Sequence, residues 1–290
     1  LGHAIAALVT GGQVLGIQIY PEQGGVTVTR GGWLFVILSA GYLGSNGTKF
    51  LDQLTVQRKK VDTQFKLLKT RMSNFDQTAC SPKMREACTM LDKIGLVRDK
   101  ISKHSLTVNQ ELDIYTRIIS LYLDDITFIA KASKDAIQTR QLTAYSSFLR
   151  AKERLGIIRA IGADTFSHHR FEPGMRQKLT ETIAEEKIFL TLFSTYADEE
   201  ALKIYKNTMK THSFDKLTRL KKVLMQSDYG DRFTADPEEW FDLISKKIEV
   251  YKQVQQSLSN YLMAYSNMQM VQMYHTLFIT FLLDIVMVFA

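Results

Sequence analysis

From Thr48 onward, apolar residues recur at every third or fourth position, the spacing of helices that bury one face. Phe50, Leu54, Gln57, Val61, Phe65 and Leu68 form one such stripe, which predicts a helix of about 25 residues. The segment from Asn74 to Pro82 breaks it, and Pro82 suits the first turn of a second helix running from Met84 to Ile101. Thr107 followed by Gln110 has the form of a capping box. It opens a helix from Glu111 to Ala132 with a broad face of Leu112, Tyr115, Ile118, Ile119, Tyr122, Ile126 and Ile129. Ser133 is placed to cap the helix after it.

That next helix, from about Lys134 to His168, carries Tyr145, Phe148, Lys152, Leu155, Arg159, Gly162 and Phe166 at steps of three and four. Two cations therefore lie on an apolar stripe. A buried, unpaired guanidinium is too costly to keep, so each needs either a carboxylate from a neighbouring helix or the anion of a ligand. Ion pairs are commoner than anion sites, and pattern alone favours the carboxylate. Pro173 opens a helix from Met175 to Tyr196, with Leu179, Ile183, Glu186, Leu190 and Phe193 on one side. Ala201 to Met209 and Phe214 to Met225 are shorter helices. Pro237 opens the longest, where Ile244, Ile248, Tyr251, Val254, Leu258, Tyr261, Tyr265 and Met268 make a heptad-like seam fit for bundle packing or a homodimer.

Both ends depart from this regime. Of the 16 glycines, 11 lie between Gly2 and Gly47, a stretch whose only formal charges are Glu22 and Arg30. Gln13 to Ile19 and Val26 to Arg30 alternate as short strands do, around a turn at Pro21 to Gly25. Residues 1–38 therefore form an atypical leader, in strands or disordered, and glycine pairs keep it from reading as a membrane span. At the other end, Asp284 is the only formal charge after Lys252, and Thr276 to Ala290 is almost wholly apolar. This reads as the start of a transmembrane helix over 271–290.

Composition removes several function classes. The 37 Lys and Arg against 30 Asp and Glu give a net charge of +7, but spread along the chain without the basic patch of a nucleic-acid binder. Two cysteines, Cys80 and Cys88, make neither a disulfide framework nor a zinc module; whether they pair stays open. Gly44-Ser-Asn-Gly-Thr-Lys49 lacks the spacing of a phosphate loop and reads as a turn and helix start. Asp164 and His168, with His169 beside them, are too few ligands for a metal. No nucleophile has an identifiable base and no His-Glu-x-x-His occurs, so neither an enzyme nor a bound cofactor is expected.

Ser39-Ala-Gly-Tyr-Leu-Gly-Ser45, followed by Phe50 to Gln57 with Arg58 and Asp62, resembles the start of the nitrate- and nitrite-sensing domain of bacterial chemoreceptors and related signalling proteins. Ala151-Lys-Glu-Arg-Leu-Gly-Ile-Ile-Arg-Ala160 resembles that family's most specific helix, and Trp240-Phe241 with the long helix behind it is similar to its ending. The resemblance implies an all-α fold, two antiparallel helical bundles sharing long helices, occupying 39–270. It implies an input domain on the periplasmic side of the inner membrane, binding a small anion such as nitrate or nitrite and signalling through its last helix to a cytoplasmic module. Arg154 and Arg159 match the family's helix as anion ligands, and Arg219 is a weaker third candidate. Five residues turn a helix by about 140°, so Arg154 and Arg159 do not face one ligand together. The chain departs from the family where Phe35, Val36 and Ile37 stand in place of a Glu-Arg-Gly whose arginine is implicated in anion binding. The alternative reading is a ligand-free helical dimerisation or structural module of a membrane signalling protein.

Overall fold

The computed structural model describes residues 3–10, 13–21, 39, 42, 47, 51–73, 81–133, 135–226 and 232–289. Among them are nine helices: α1 (Leu51–Ser73), α2 (Pro82–Asp92), α3 (Ile94–Ser102), α4 (Val108–Ala132), α5 (Ala136–His168), α6 (Met175–Tyr196), α7 (Glu199–Lys210), α8 (Asp215–Gln226) and α9 (Pro237–Phe289). The body is all-α, as the apolar period requires. Strands β1 (His3–Thr10) and β2 (Gln13–Pro21) form a two-stranded antiparallel ribbon ahead of it.

The ribbon differs from the expectation. Thr10 pairs with Gln13 and His3 with Pro21, so Pro21 ends a strand and does not begin a turn. Only Gly11-Gly12 separates the strands, and a glycine pair is suited to the positive φ of a two-residue hairpin. Val26 to Arg30, the second expected strand, lies outside the described residues, as do Phe35, Val36 and Ile37. Within Gly44 to Lys49 only Gly47 is described: its φ is +81° and its amide donates to the Tyr42 carbonyl at 2.8 Å, the turn that was expected.

Helix starts follow local chemistry closely. Gln110 donates its amide to Thr107 Oγ1 at 3.2 Å and accepts the Thr107 amide at 3.0 Å, completing the capping box of α4. The cap of α5 is Asp135 in place of Ser133: its Oδ1 accepts the Ile137 and Gln138 amides at 2.8 and 3.2 Å. Ser133 instead closes α4 and donates its hydroxyl to Gln138 Oε1 at 2.8 Å. Gly174, with φ +80°, takes the position before α6, so Pro173 stands outside that helix. The single helix expected from Met84 to Ile101 is two, because the Lys93 amide turns back to Met90 and ends α2 before α3 begins.

Two apolar cores result. The first joins Leu54 and Val61 of α1, Leu91 of α2 and Ile101 of α3 to Leu112–Tyr122 of α4, the C-terminal half of α5, Leu179, Leu217 and Leu224, and Trp240 and Ile244 of α9. The second joins Leu123–Ala130, the N-terminal half of α5 from Leu142 to Leu155, Phe193, Ala201, and Tyr251 to Leu262. Helices α4, α5, α6 and α9 pass through both. The seam on α9 is used within the chain: Ile244, Tyr251, Val254 and Leu258 are buried against α5 and its neighbours, so they are not available to a second copy. Met268, beyond them, is exposed. Among the described residues no helix is long and apolar enough to cross a membrane.

Candidate anion-binding site

Helix α5 presents four cations to its neighbours, and they are met in two ways. Arg150 and Arg154 carry charged partners: Arg150 Nη2 lies 2.6 Å from Asp124 Oδ1 on α4, and Arg154 Nε lies 2.5 Å from Glu185 Oε2 on α6. Arg154 also lies over the Phe189 ring, 5.4 Å from its centroid. The two cations on the apolar stripe meet neutral oxygens on α9. Lys152 donates to Gln255 Oε1, and Arg159 Nη1 donates to Ser245 Oγ at 2.9 Å.

Arg159 is buried, 7% exposed, with its guanidinium over the Phe241 ring at 4.9 Å. Its backbone is fixed as well as its side chain, because the Trp240 indole Nε1 donates to the Arg159 carbonyl at 3.1 Å. That contact depends on Gly162: a Cβ there would come within 2.2 Å of the Trp240 ring, so only glycine admits the indole. One turn of α5 thus holds the arginine and the notch, and α9 supplies the ring that fills it.

The three arginines are not brought together. Arg154 points to α6 and Arg159 to α9, in keeping with their angular separation on α5. Arg219 is exposed on α8, and among the described contacts none links it to either. Desolvation pushes the Lys152 ammonium down to about 8 against the opposing pull of Glu153. The histidines near the end of α5 make local contacts: His168 Nδ1 lies 3.2 Å from Asp164 Oδ1, and His169 Nδ1 donates to the Phe233 carbonyl at 2.7 Å. No group of three or more His, Cys, Asp or Glu suited to a metal occurs among the described residues. Cys80, and with it the question of a Cys80–Cys88 bond, lies outside them. A cavity of about 10 Å³ in the second core, lined by Gln141, Tyr145, Phe193, Asp198 and Tyr261, has room for about one water and not for a nitrate.

A charged cluster that sequence reading did not assemble lies on the inward faces of α6, α8 and α9. Glu186 is buried and receives Lys221 Nζ on Oε2 at 2.7 Å and Lys247 Nζ on Oε1 at 2.9 Å. Burial pushes the Glu186 carboxyl up, but Lys247 and Lys221 outweigh it and hold the group below the usual carboxylate range. The signal was present in part: Glu186 sits on the apolar stripe of α6, where a charge demands a partner.

A family described as nitrate and nitrite sensing matches residues 37–263, most of the chain and all of the helical segment that holds these groups. The chain belongs to the nitrate and nitrite sensing family. A second family, Peptidase M50B-like, matches residues 1–49, a stretch with one histidine, His3, and one glutamate, Glu22. No curated protein matches. The nitrate and nitrite sensing fold is also that of a solved structure described as the NasR transcription antiterminator. The two chains are 18% identical with a TM-score of 0.73, over 83% of this chain and 66% of that one. At that identity the likeness concerns the fold, and this chain spans just under two thirds of that protein's length.

Proposed function

We propose that the chain is the sensory input domain of a signalling protein, that a nitrate or nitrite ion is met by Arg159 at the interface of α5 and α9, and that α9 carries the signal onward. The observation behind this reading is the setting of Arg159: it is buried at the interface of α5 and α9, lies over the Phe241 ring and donates to the Ser245 hydroxyl, which a stronger acceptor can replace. Nitrate is planar with three acceptor oxygens, and a guanidinium offers a planar fork of donors to match. Arg154 acts in this reading as the ion-paired support of α6, and exposed Arg219 contributes field at most. Because Ser245 and Phe241 are both on α9, an anion bound to Arg159 biases the placement of that helix by its different affinity for two arrangements.

In the same reading the sensor occupies 39–270, residues 1–38 are an atypical leader, and 271–290 begin a membrane helix that places the sensor on the periplasmic side. Its partners in this reading are a cytoplasmic signalling module and a second copy of the chain. A non-enzymatic role fits a family defined by sensing. The alternative, a structural module for protein contact, draws on the exposed stripe of Ile188, Leu192 and Tyr196 on α6.

Thermal melts with millimolar nitrate, nitrite or chloride decide between them, since a ligand that binds only the folded state raises stability by about 2.7 kcal/mol at one hundred times its Kd. The expected result is a rise with nitrate or nitrite exceeding that with chloride, with this excess lost in Arg159→Ala. Equal response to all three anions, or a nitrate-specific rise that survives Arg159→Ala, overturns the assignment.

A further inference from the structure

The Glu186 cluster carries more positive charge than its own residues neutralise. Lys221 and Lys247 share one carboxylate, and the side chains of all three are withdrawn from solvent, 14%, 15% and 7% exposed. The cluster occupies a defined level of the fold. Glu186 lies between Leu179 of the first core and Phe193 of the second, and Lys247 between Ile244 and Tyr251, so the charges mark the junction of the two cores. Lys247 also lies over the Tyr251 ring, 5.3 Å from its centroid. Among the described residues the hydroxyls of Tyr205 and Tyr251 also face Glu186, and burial raises the pKa of both, so they stay neutral and add no negative charge. Desolvation and Lys247 together pull the Lys221 ammonium below the usual lysine range despite Glu186, the response of two cations competing for one anion.

We propose that Lys221 and Lys247 form a second anion site, separate from Arg159, in which a small monovalent inorganic anion is held between the two ammoniums and Glu186 is its internal competitor. The ligand class follows from the donors. An ammonium is a compact point charge with rotatable donors, unlike the planar fork of Arg159, so this site recognises charge and size and accepts a halide as readily as nitrate. Three separate helices supply the groups, across 35 residues between Glu186 and Lys221 and 61 between Glu186 and Lys247. An anion here takes over part of the hold that Glu186 has on α8 and α9, and so sets how firmly α9 is tied to α6.

Bromide is the probe, because it lacks the shape an arginine fork selects and its anomalous scattering locates it. In the full chain carrying Arg159→Ala, bromide is expected still to raise the melting temperature. Crystals grown with bromide are expected to show an anomalous peak between Lys221 Nζ and Lys247 Nζ. In the same background Lys247→Met removes the bromide response, while Glu186→Gln, which keeps the shape and deletes the competing charge, tightens bromide binding by about tenfold or more. A gain of affinity has no explanation in lost folding, so Glu186→Gln decides the matter even where Lys247→Met lowers stability. Loss of the bromide response in Arg159→Ala, or unchanged affinity in Glu186→Gln, overturns the second site and leaves the nitrate assignment of Arg159 standing. A bromide response with no nitrate preference anywhere does the reverse.

Discussion

The first core draws residues from eight helices, four of them found in no other core, whereas the second is made by five, four of which it shares. Their chemistry differs too. The second centres on four rings, Phe148, Phe193, Tyr205 and Tyr251, with centroids 5.2 to 6.0 Å apart, supplied by four helices. The first is aliphatic over most of its residues, with Trp240, Phe166, Phe233 and Phe171 in a row of edge-to-face contacts, and its short helices α2, α3 and α8 reach it by a few side chains each. A core closed by long shared helices holds its shape through their length, while one closed by short helices depends on each anchor separately. The two lysines and Glu186 lie where these regimes meet.

The contrast is most exposed at Trp240. Trp240→Ala empties the Gly162 notch and removes the indole bond to the Arg159 carbonyl, and is expected to cost about 3–5 kcal/mol. Residue-resolved hydrogen exchange should show the loss first in α1–α3 and α8, with α5 near Phe148 and α9 near Val254 still protected. Uniform deprotection would mean that the cores open together and that the distinction has no energetic content.

A smaller effect sharpens the electrostatic side of the comparison. Lys152 has a folded pKa pushed down to about 8 by desolvation, below its unfolded value, so it favours folding only where it is neutral. That contribution is full above about pH 10.4 and is lost as pH falls through about 8. Lys152→Met should therefore raise the melting temperature at pH 7, with the advantage shrinking steadily between pH 8 and 10. A pH-independent difference would assign the gain to packing alone. The smallest effect belongs to Thr107→Ala, which removes a cap from α4 and should lower stability by about 1 kcal/mol; a loss several times larger, measured by urea denaturation, would show that the start of α4 nucleates the first core.

Much of this was legible from one-dimensional rules. The α4 start was readable because both members of its capping box lie within four residues, and the α5 stripe because its period is regular. The break between α2 and α3 was not, since no proline or glycine pair marks Lys93, only a backbone turn to Met90. Asp135 displaced Ser133 as a cap because both residue types suit the role and the choice is settled by which oxygen reaches the Ile137 amide. At the site, a cation among apolar neighbours identified Arg159 as needing a partner, but Ser245 as that partner is 86 residues away and left no trace in spacing. Glu186 was visible as an anomaly on its stripe, while Lys221 and Lys247 are ordinary lysines until the chain is folded.

The fit of Trp240 into Gly162 also restricts how α9 can move. With a ring lodged in a notch and hydrogen-bonded at its rim, sliding α9 along α5 would lift the indole out, whereas tilting about that point leaves it seated. The notch is then a fulcrum and α9 a lever. Leu262 lies about 33 Å further along the helix, so each degree of tilt displaces it by about 0.6 Å. Arg159, beside the fulcrum, is placed where a small change of contact has the longest arm to act through.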